Sequence, residues 1–171
     1  MRSSPTCIDL DDDGDYDCLV GESDGNVNFY RNKGTAQSAS FTLVTTSFFP
    51  SNVVGNSAPS CFDHNPADGD LDCMVGSSDG MVTDFRNDGN KTHPSYAYVF
   101  SNALDYDVGF DATVECVDID NDGDIDCLVG ESDGYVMLFR GDVMTPPPTN
   151  IPTAVPTPVP SPVPSPVPSP V

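Results

Sequence analysis

The sequence predicts an all-β chain: three four-stranded antiparallel units, the last of them incomplete, followed by an extended polyproline II tail. Three observations carry this. One segment of about 26 residues recurs three times in register, its apolar runs are short and rich in β-branched and aromatic residues with no helical periodicity, and the composition turns abruptly to proline at Thr145.

The three copies are CIDLDDDGDYDCLVGESDGNVNFYRN (7–32), CFDHNPADGDLDCMVGSSDGMVTDFRN (61–87) and CVDIDNDGDIDCLVGESDGYVMLFRG (116–141). Cys18, Cys73 and Cys127 lie 55 and then 54 residues apart. A period of that length suits one small antiparallel sheet per repeat, as in propeller blades, better than a helical solenoid. The repeats occupy residues 1–55, 56–109 and 110–144, and the tail occupies 145–171.

Within each copy the order is strand, Asp-rich loop, strand, tight turn, strand. CLVG and VNFYR are strand-forming runs, and the Asp-Gly of ESDG or SSDG between them is what a two-residue hairpin turn favours. A fourth strand is expected in FTLVTTSFF (41–49) and in YAYVF (96–100). In the third copy VMLFR is followed within a few residues by the proline-rich stretch, so no fourth strand is expected there.

Charge narrows the function. There are 6 Lys+Arg against 27 Asp+Glu, a formal net charge of -21. Such a chain has nothing to replace the counterions of a nucleic acid. No run of about 18 apolar residues is present to span a membrane. The start, MRSSPTC, has no apolar signal region, so a secretory leader is expected to be absent from this sequence.

The acid is concentrated in the loops. In the first copy Asp9, Asp11, Asp13, Asp15 and Asp17 fall at every second position, and the third copy repeats this with Asp118, Asp120, Asp122, Asp124 and Asp126. So many carboxylates at close range repel strongly unless a cation sits among them. Hard divalent cations take oxygen ligands, and calcium accepts six to eight in flexible geometry, so calcium is expected rather than zinc. By position, Asp15 contributes its backbone carbonyl, and Gly14 and Gly123 permit the sharp turn. The second copy departs from the pattern: it offers Asp63, Asn65, Asp68, Asp70 and Asp72, with one residue inserted through Pro66-Ala67. Its site is expected to be the weakest. About three Ca2+ ions, one per repeat, would raise the formal charge from -21 to -15 (-21 plus 6). These are not EF-hands, because the bidentate Glu such a loop needs at its twelfth position is replaced by Val20, Val75 and Val129.

The D-x-D-x-D-G-x-x-D loop, the following (L/M)-V-G, the S-D-G turn and the (F/Y)-R-N ending together resemble the FG-GAP/VCBS repeat family, the calcium-loop propeller blades of integrin alpha chains and many secreted proteins. The resemblance covers roughly residues 3–141. It implies propeller-type blades with calcium in the loops. Family propellers close with more blades, usually seven, so three imply either further blades or neighbouring molecules.

Six cysteines allow 15 connectivities, but only Cys7/Cys18, Cys61/Cys73 and Cys116/Cys127 repeat with the unit. Each pair sits at facing ends of adjacent antiparallel strands, a separation a disulfide accepts. Disulfides place the chain outside the cytosol. Zinc is disfavoured, since there is no C-x-x-C and His64 and His93 stand alone.

From Thr145 the stretch TPPPTNIPTAVPTPVPSPVPSPVPSPV holds 12 of the 17 prolines. Polyproline II is expected there, reaching roughly 80 Å if straight at about 3.1 Å per residue. Hydroxyls recur every fourth residue at Thr145, Thr149, Thr153, Thr157, Ser161, Ser165 and Ser169. With three residues per turn, a period of four decorates every side of the rod, which suits all-round O-glycosylation better than a one-faced docking motif. The composition resembles hydroxyproline-rich glycoproteins of algal and plant walls. Asn90-Lys91-Thr92 is an N-glycosylation acceptor.

The expected function is an extracellular, calcium-stabilised structural or adhesive repeat protein, a self-associating subunit of a glycosylated fibre or wall assembly with glycans as partners. A lectin-like carbohydrate-binding propeller is the alternative. A polysaccharide-acting enzyme fragment ranks lower, because neither histidine has a recognisable nucleophile partner and the clustered carboxylates are assigned to metal.

Overall fold

The computed structural model describes residues 3–64 and 68–141, together with the backbone of 149–150. The first repeat forms β1 (Ser3–Ile8), β2 (Asp17–Glu22), β3 (Val27–Asn32) and β4 (Phe41–Thr45). The second forms β5 (Ala58–Phe62), β6 (Asp72–Gly76), β7 (Val82–Asn87) and β8 (Tyr96–Ser101). The third forms β9 (Thr113–Val117), β10 (Asp126–Gly130) and β11 (Val136–Phe139), with the two-residue β12 (Thr149–Asn150) at the edge. Each repeat is an up-and-down antiparallel sheet, ordered β1-β2-β3-β4, β5-β6-β7-β8 and β9-β10-β11-β12. There are no helices among the described residues.

Register repeats along with order. Cys7 faces Cys18, Cys61 faces Cys73 and Cys116 faces Cys127 across the first strand pair of each sheet. A register shift falls between Phe29 and Tyr30 and, at the equivalent place, between Asp84 and Phe85, where the third strand pairs with the fourth. The expected fourth strands are present in the first two repeats. In the third, Thr149 and Asn150 pair with Leu138 and Met137, so a stub of two residues stands where the proline-rich composition predicts no strand.

One residue at the return to the fourth strand differs as well. Asn32 and Asn87 are buried, and each carboxamide oxygen accepts two backbone N–H groups of the return to the fourth strand: Gly34 at 2.9 Å and Ser40 at 2.8 Å, and Gly89 at 3.0 Å and Ser95 at 2.9 Å. The third repeat has Gly141 at this position and no such clamp.

The turn between second and third strands differs from the two-residue expectation. Glu22 N–H donates to Asn26 O at 3.1 Å, leaving Ser23, Asp24 and Gly25 as a three-residue loop in which only Gly25 has positive φ, at 89°. A type I turn ended by a left-handed glycine needs one such residue, whereas the type I′ turn that Asp-Gly favours needs φ above zero at both positions. The second and third repeats use Gly80 and Gly134 in the same way.

Consecutive sheets stack face to face, with β5 against β1 and β2, and β9 against β5 and β6. Two apolar cores result. One joins Leu10, Leu19, Val27, Phe29 and Phe49 of the first repeat to Cys61, Cys73, Val75 and Phe85 of the second; the rings of Phe49 and Phe85 stack with centroids 4.3 Å apart. The other joins Phe62, Met74, Val82, Ala103 and Val108 to Ala112, Val114, Cys116, Cys127, Val129 and Met137 of the third. At about 1.5–3 kcal/mol for each large apolar side chain removed from water, these layers rather than the individual sheets hold the chain together. All three disulfides form, with Cα–Cα distances of 4.1, 4.0 and 4.1 Å.

Candidate metal centre

The first strand pair of each sheet hands the chain into an Asp loop, which in the first repeat leaves Ile8 and re-enters at Asp17. Were this loop extended, the alternating Asp would line one face about 6.6 Å apart, too spread out to meet at one point, and the chain instead curls. In the first loop Asp12 (φ 56°) and Gly14 (φ 91°) take left-handed conformations, and Asn121 (60°) and Gly123 (98°) do so at the same places in the third. Carboxylates also shape their own backbone. Asp9 accepts from the N–H groups of Asp13 at 3.1 Å and Gly14 at 3.0 Å, and Asp13 accepts from Asp15 N–H at 3.1 Å. The third loop repeats this: Asp118 accepts from Asp122 at 3.2 Å and Gly123 at 3.1 Å, and Asp122 from Asp124 at 3.0 Å.

Curling brings ligand-type oxygens together. One from each of Asp9, Asp11 and Asp13 lie within 4.8 Å of one another, and so do those of Asp118, Asp120 and Asp126. Acidic residues gather on many protein surfaces without purpose, but the interior of the first loop is different. Asp15 and Asp17 are buried, and Asp11 Oδ1, Asp15 Oδ1 and Asp17 Oδ2 are enclosed with no hydrogen-bond donor among the described residues. In the second loop Asp63 Oδ1 is in the same condition. A buried carboxylate oxygen with no donor is costly unless a cation supplies the missing partner.

The electrostatics agree. Burial raises the Asp17 carboxyl from 3.8 to about 6, against the opposing pull of the Asn32 N–H, which donates to its Oδ1 at 2.7 Å. Burial and then the neighbouring Asp13 raise Asp11 and Asp15 as well. In the second loop burial comes first in raising both Asp70 and Asp72, and for Asp70 the charges of Asp68, Asp72 and Asp63 add to it. Anions packed this way repel one another and favour a divalent ion between them.

The residues expected as ligands therefore separate by role. Asp9, Asp11 and Asp13, with Asp118, Asp120 and Asp126, form the converging sets. Asp15, placed by its loop position to offer a backbone carbonyl, has a buried side chain as well, whereas its counterpart Asp124 is exposed. Asp17, Asp72 and Asp126 each brace the end of the third strand too, accepting from the N–H of Asn32, Asn87 and Gly141 at 2.7, 2.7 and 3.1 Å. Asn65 lies outside the described residues, as do Pro66 and Ala67. Asp63, Asp68, Asp70 and Asp72 flank that gap.

Three cationic side chains also reach the loops. Arg31 reaches Asp11 at 3.2 Å and Arg140 pairs with Asp120, so the arginine of the (F/Y)-R-N ending neutralises the second carboxylate of its own loop. Arg86 turns to Asp88 instead, at 2.8 Å. A signal for this exists in the sequence: an arginine recurs at one register position in a chain that has only six Lys and Arg. Lys91 of the second repeat pairs with Asp12 of the first loop at 2.7 Å, a contact no reading of one repeat could reveal.

Among the expected modification sites, Asn90 lies exposed in the 90–93 turn, where its side-chain oxygen accepts from Thr92 Oγ1 at 2.9 Å. Thr149 has a described backbone only; Thr145, Thr153, Thr157, Ser161, Ser165 and Ser169 lie outside the described residues. No helix among the described residues is long and apolar enough to cross a membrane. No protein-family model matches the chain. No relative is found among curated proteins.

Proposed function

We propose that the chain is an extracellular structural repeat protein whose loops each hold a calcium ion, and that it serves as a self-associating subunit of a glycosylated fibre or surface assembly. The three sheets act as FG-GAP/VCBS-type propeller blades in this reading. The observation that carries it is the set of enclosed, donorless oxygens on Asp11, Asp15 and Asp17 beside the converging Asp9, Asp11 and Asp13. Oxygen-only donors of this number suit a hard divalent ion, with Asp9, Asp11, Asp13 and Asp17 as side-chain ligands in the first loop and Asp118, Asp120, Asp122 and Asp126 in the third. The ion's role is to fix loop and strand ends, since Asp17 and Asp126 each connect the loop to the end of the third strand.

Three disulfides support an oxidising compartment. The Pro-rich tail, with a hydroxyl every fourth residue, supports a stiff glycosylated spacer. Electron microscopy of the purified protein with and without EGTA tests the assignment. Regular calcium-dependent filaments are the expected result. Single particles that bind oligosaccharide would replace it with the carbohydrate-binding alternative.

A further inference from the structure

The two sheet-to-sheet interfaces inside the chain are built alike, and each end of the stack presents one unmatched half of the same interface. On the back of the first two sheets, the next repeat's entry segment presses against the (L/M)-V-G glycine. A Cβ on Gly21 would lie 1.9 Å from Ser57 O, and one on Gly76 would lie 2.3 Å from Ala112 O. In the third sheet the nearest such atom to Gly130 among the described residues is 4.0 Å away and belongs to its own turn, at Tyr135. Backbone bonds match this pattern. Ser57 N–H donates to Glu22 O at 3.0 Å and Ala112 N–H to Ser77 O at 2.9 Å, and Glu131 is the equivalent acceptor position in the third repeat. Val27 is 4% exposed and Val82 0%, but Val136 at the same register is 40% exposed.

The front of the first sheet shows the opposite half. Cys61 and Cys73 are 8% and 0% exposed, and Cys116 and Cys127 are 5% each, because each disulfide packs into the preceding sheet. Cys7 is exposed and Cys18 half-buried. Val75 and Val129 are fully buried, whereas Val20 is only half-buried. The first strands record the same asymmetry: β5, between two neighbours, is buried at all five positions, and β1 and β9, with one neighbour each, alternate. The entry segments are also alike in sequence: Ser3-Ser4-Pro5-Thr6-Cys7 against Ser57-Ala58-Pro59-Ser60-Cys61. Ser3 thus stands where Ser57 makes its bonds to Glu22 and Asn26.

We propose that the back of the third sheet, around Gly130 and Val136, receives the front of the first sheet of a second copy, with that copy's Ser3–Ile8 strand lying against β9 and β10 as β9 lies against β5 and β6. The occupant is a second copy because the chain makes this interface twice internally and displays both halves. The contact is heterologous, so one copy leaves a free face for the next, and growth ends only if the rotation closes. Net charge of -21 opposes it, so bound calcium and salt strengthen it by cancelling or screening self-repulsion.

This inference rests on the reading of the chain as a self-associating subunit and supplies its geometry. The test uses the full chain at neutral pH with calcium, in sedimentation velocity, with two variants that each spoil one half: V136D at the back and V20D at the front. The wild type is expected to sediment as multiples of the chain, and each variant alone as single chains. Mixed, the two variants retain one sound back and one sound front, so they form 1:1 pairs that grow no further; pairing also shows that both are folded. Variants that assemble like the wild type overturn this interface and leave the fibre reading standing. Variants that stay single when mixed show that the two faces do not meet and overturn it too. A wild type that stays single at about 100 µM, with no filaments in microscopy, overturns both.

Discussion

Replacing Asp17 with asparagine should change stability in opposite directions with and without calcium. Asp17 is 3% exposed, accepts the Asn32 N–H on Oδ1 and leaves Oδ2 without a donor. Its folded value of about 6 lies above 3.8, so in the absence of an ion the folded state holds the proton more tightly than the unfolded chain. The stability this contributes is fully present below about pH 4 and is lost as pH rises through about 6. At pH 7 the loss is at most the difference of about two pKa units at roughly 1.4 kcal/mol each, on the order of 3 kcal/mol. Solvent screening at the mouth of the loop brings this down to about half, roughly 1.5 kcal/mol. The carboxamide of the D17N variant keeps an oxygen for the Asn32 N–H and carries no charge to desolvate. In EGTA at pH 7 the variant should therefore melt above the wild type, by roughly 5 °C for a chain of this size. Under saturating calcium the order should reverse, because the wild type gains binding free energy, about 2.7 kcal/mol at a hundredfold excess over Kd, and the variant has lost a charged ligand. Thermal melts by circular dichroism in both conditions provide the assay. The same loss of stability with and without calcium would exclude a ligand role, since Asp17 would then matter only for its hydrogen bond.

Other outcomes follow from the packing. G21A should cost about 2 kcal/mol or more, given the 1.9 Å approach of Ser57 O, whereas G130A should stay within about 0.5 kcal/mol; urea unfolding separates them. F85A should cost about 3–5 kcal/mol by the same measurement, since Phe85 is fully buried and stacked on Phe49. Graded reduction followed by alkylation and peptide mass spectrometry should open Cys7–Cys18 before the other two pairs, because only Cys7 is exposed.

Most of the strand order is legible because three copies align, and alignment within one chain fixes the period, the cysteine pairs and the loop boundaries together. The fourth strands at Phe41–Thr45 and Tyr96–Ser101 follow from β-branched and aromatic runs alone. What escapes is whatever depends on contacts between repeats or on a single polar side chain. Asn32 and Asn87 read as the end of a motif, and only the structure shows each binding two N–H groups that start the fourth strand. The hairpin turn differs from its expected form because an Asp-Gly pair serves both the two-residue and the three-residue loop, and φ at the residue before glycine decides between them. In the site, the alternation of Asp makes the ligand set visible, but the Arg31–Asp11 and Lys91–Asp12 pairs need the sheets to be folded and stacked first. The difference between Asp15 and Asp124 in burial follows from packing around each loop and has no trace in two nearly identical motifs.

Equilibrium dialysis of the chelator-stripped, disulfide-intact protein against calcium at pH 7 asks whether these carboxylates are ion cages. Saturable binding of two ions is expected in the loops around Asp9–Asp17 and Asp118–Asp126, with a third and weaker ion in the loop that contains Asp63. Free calcium in the millimolar range that leaves the protein with no bound ion would contradict it.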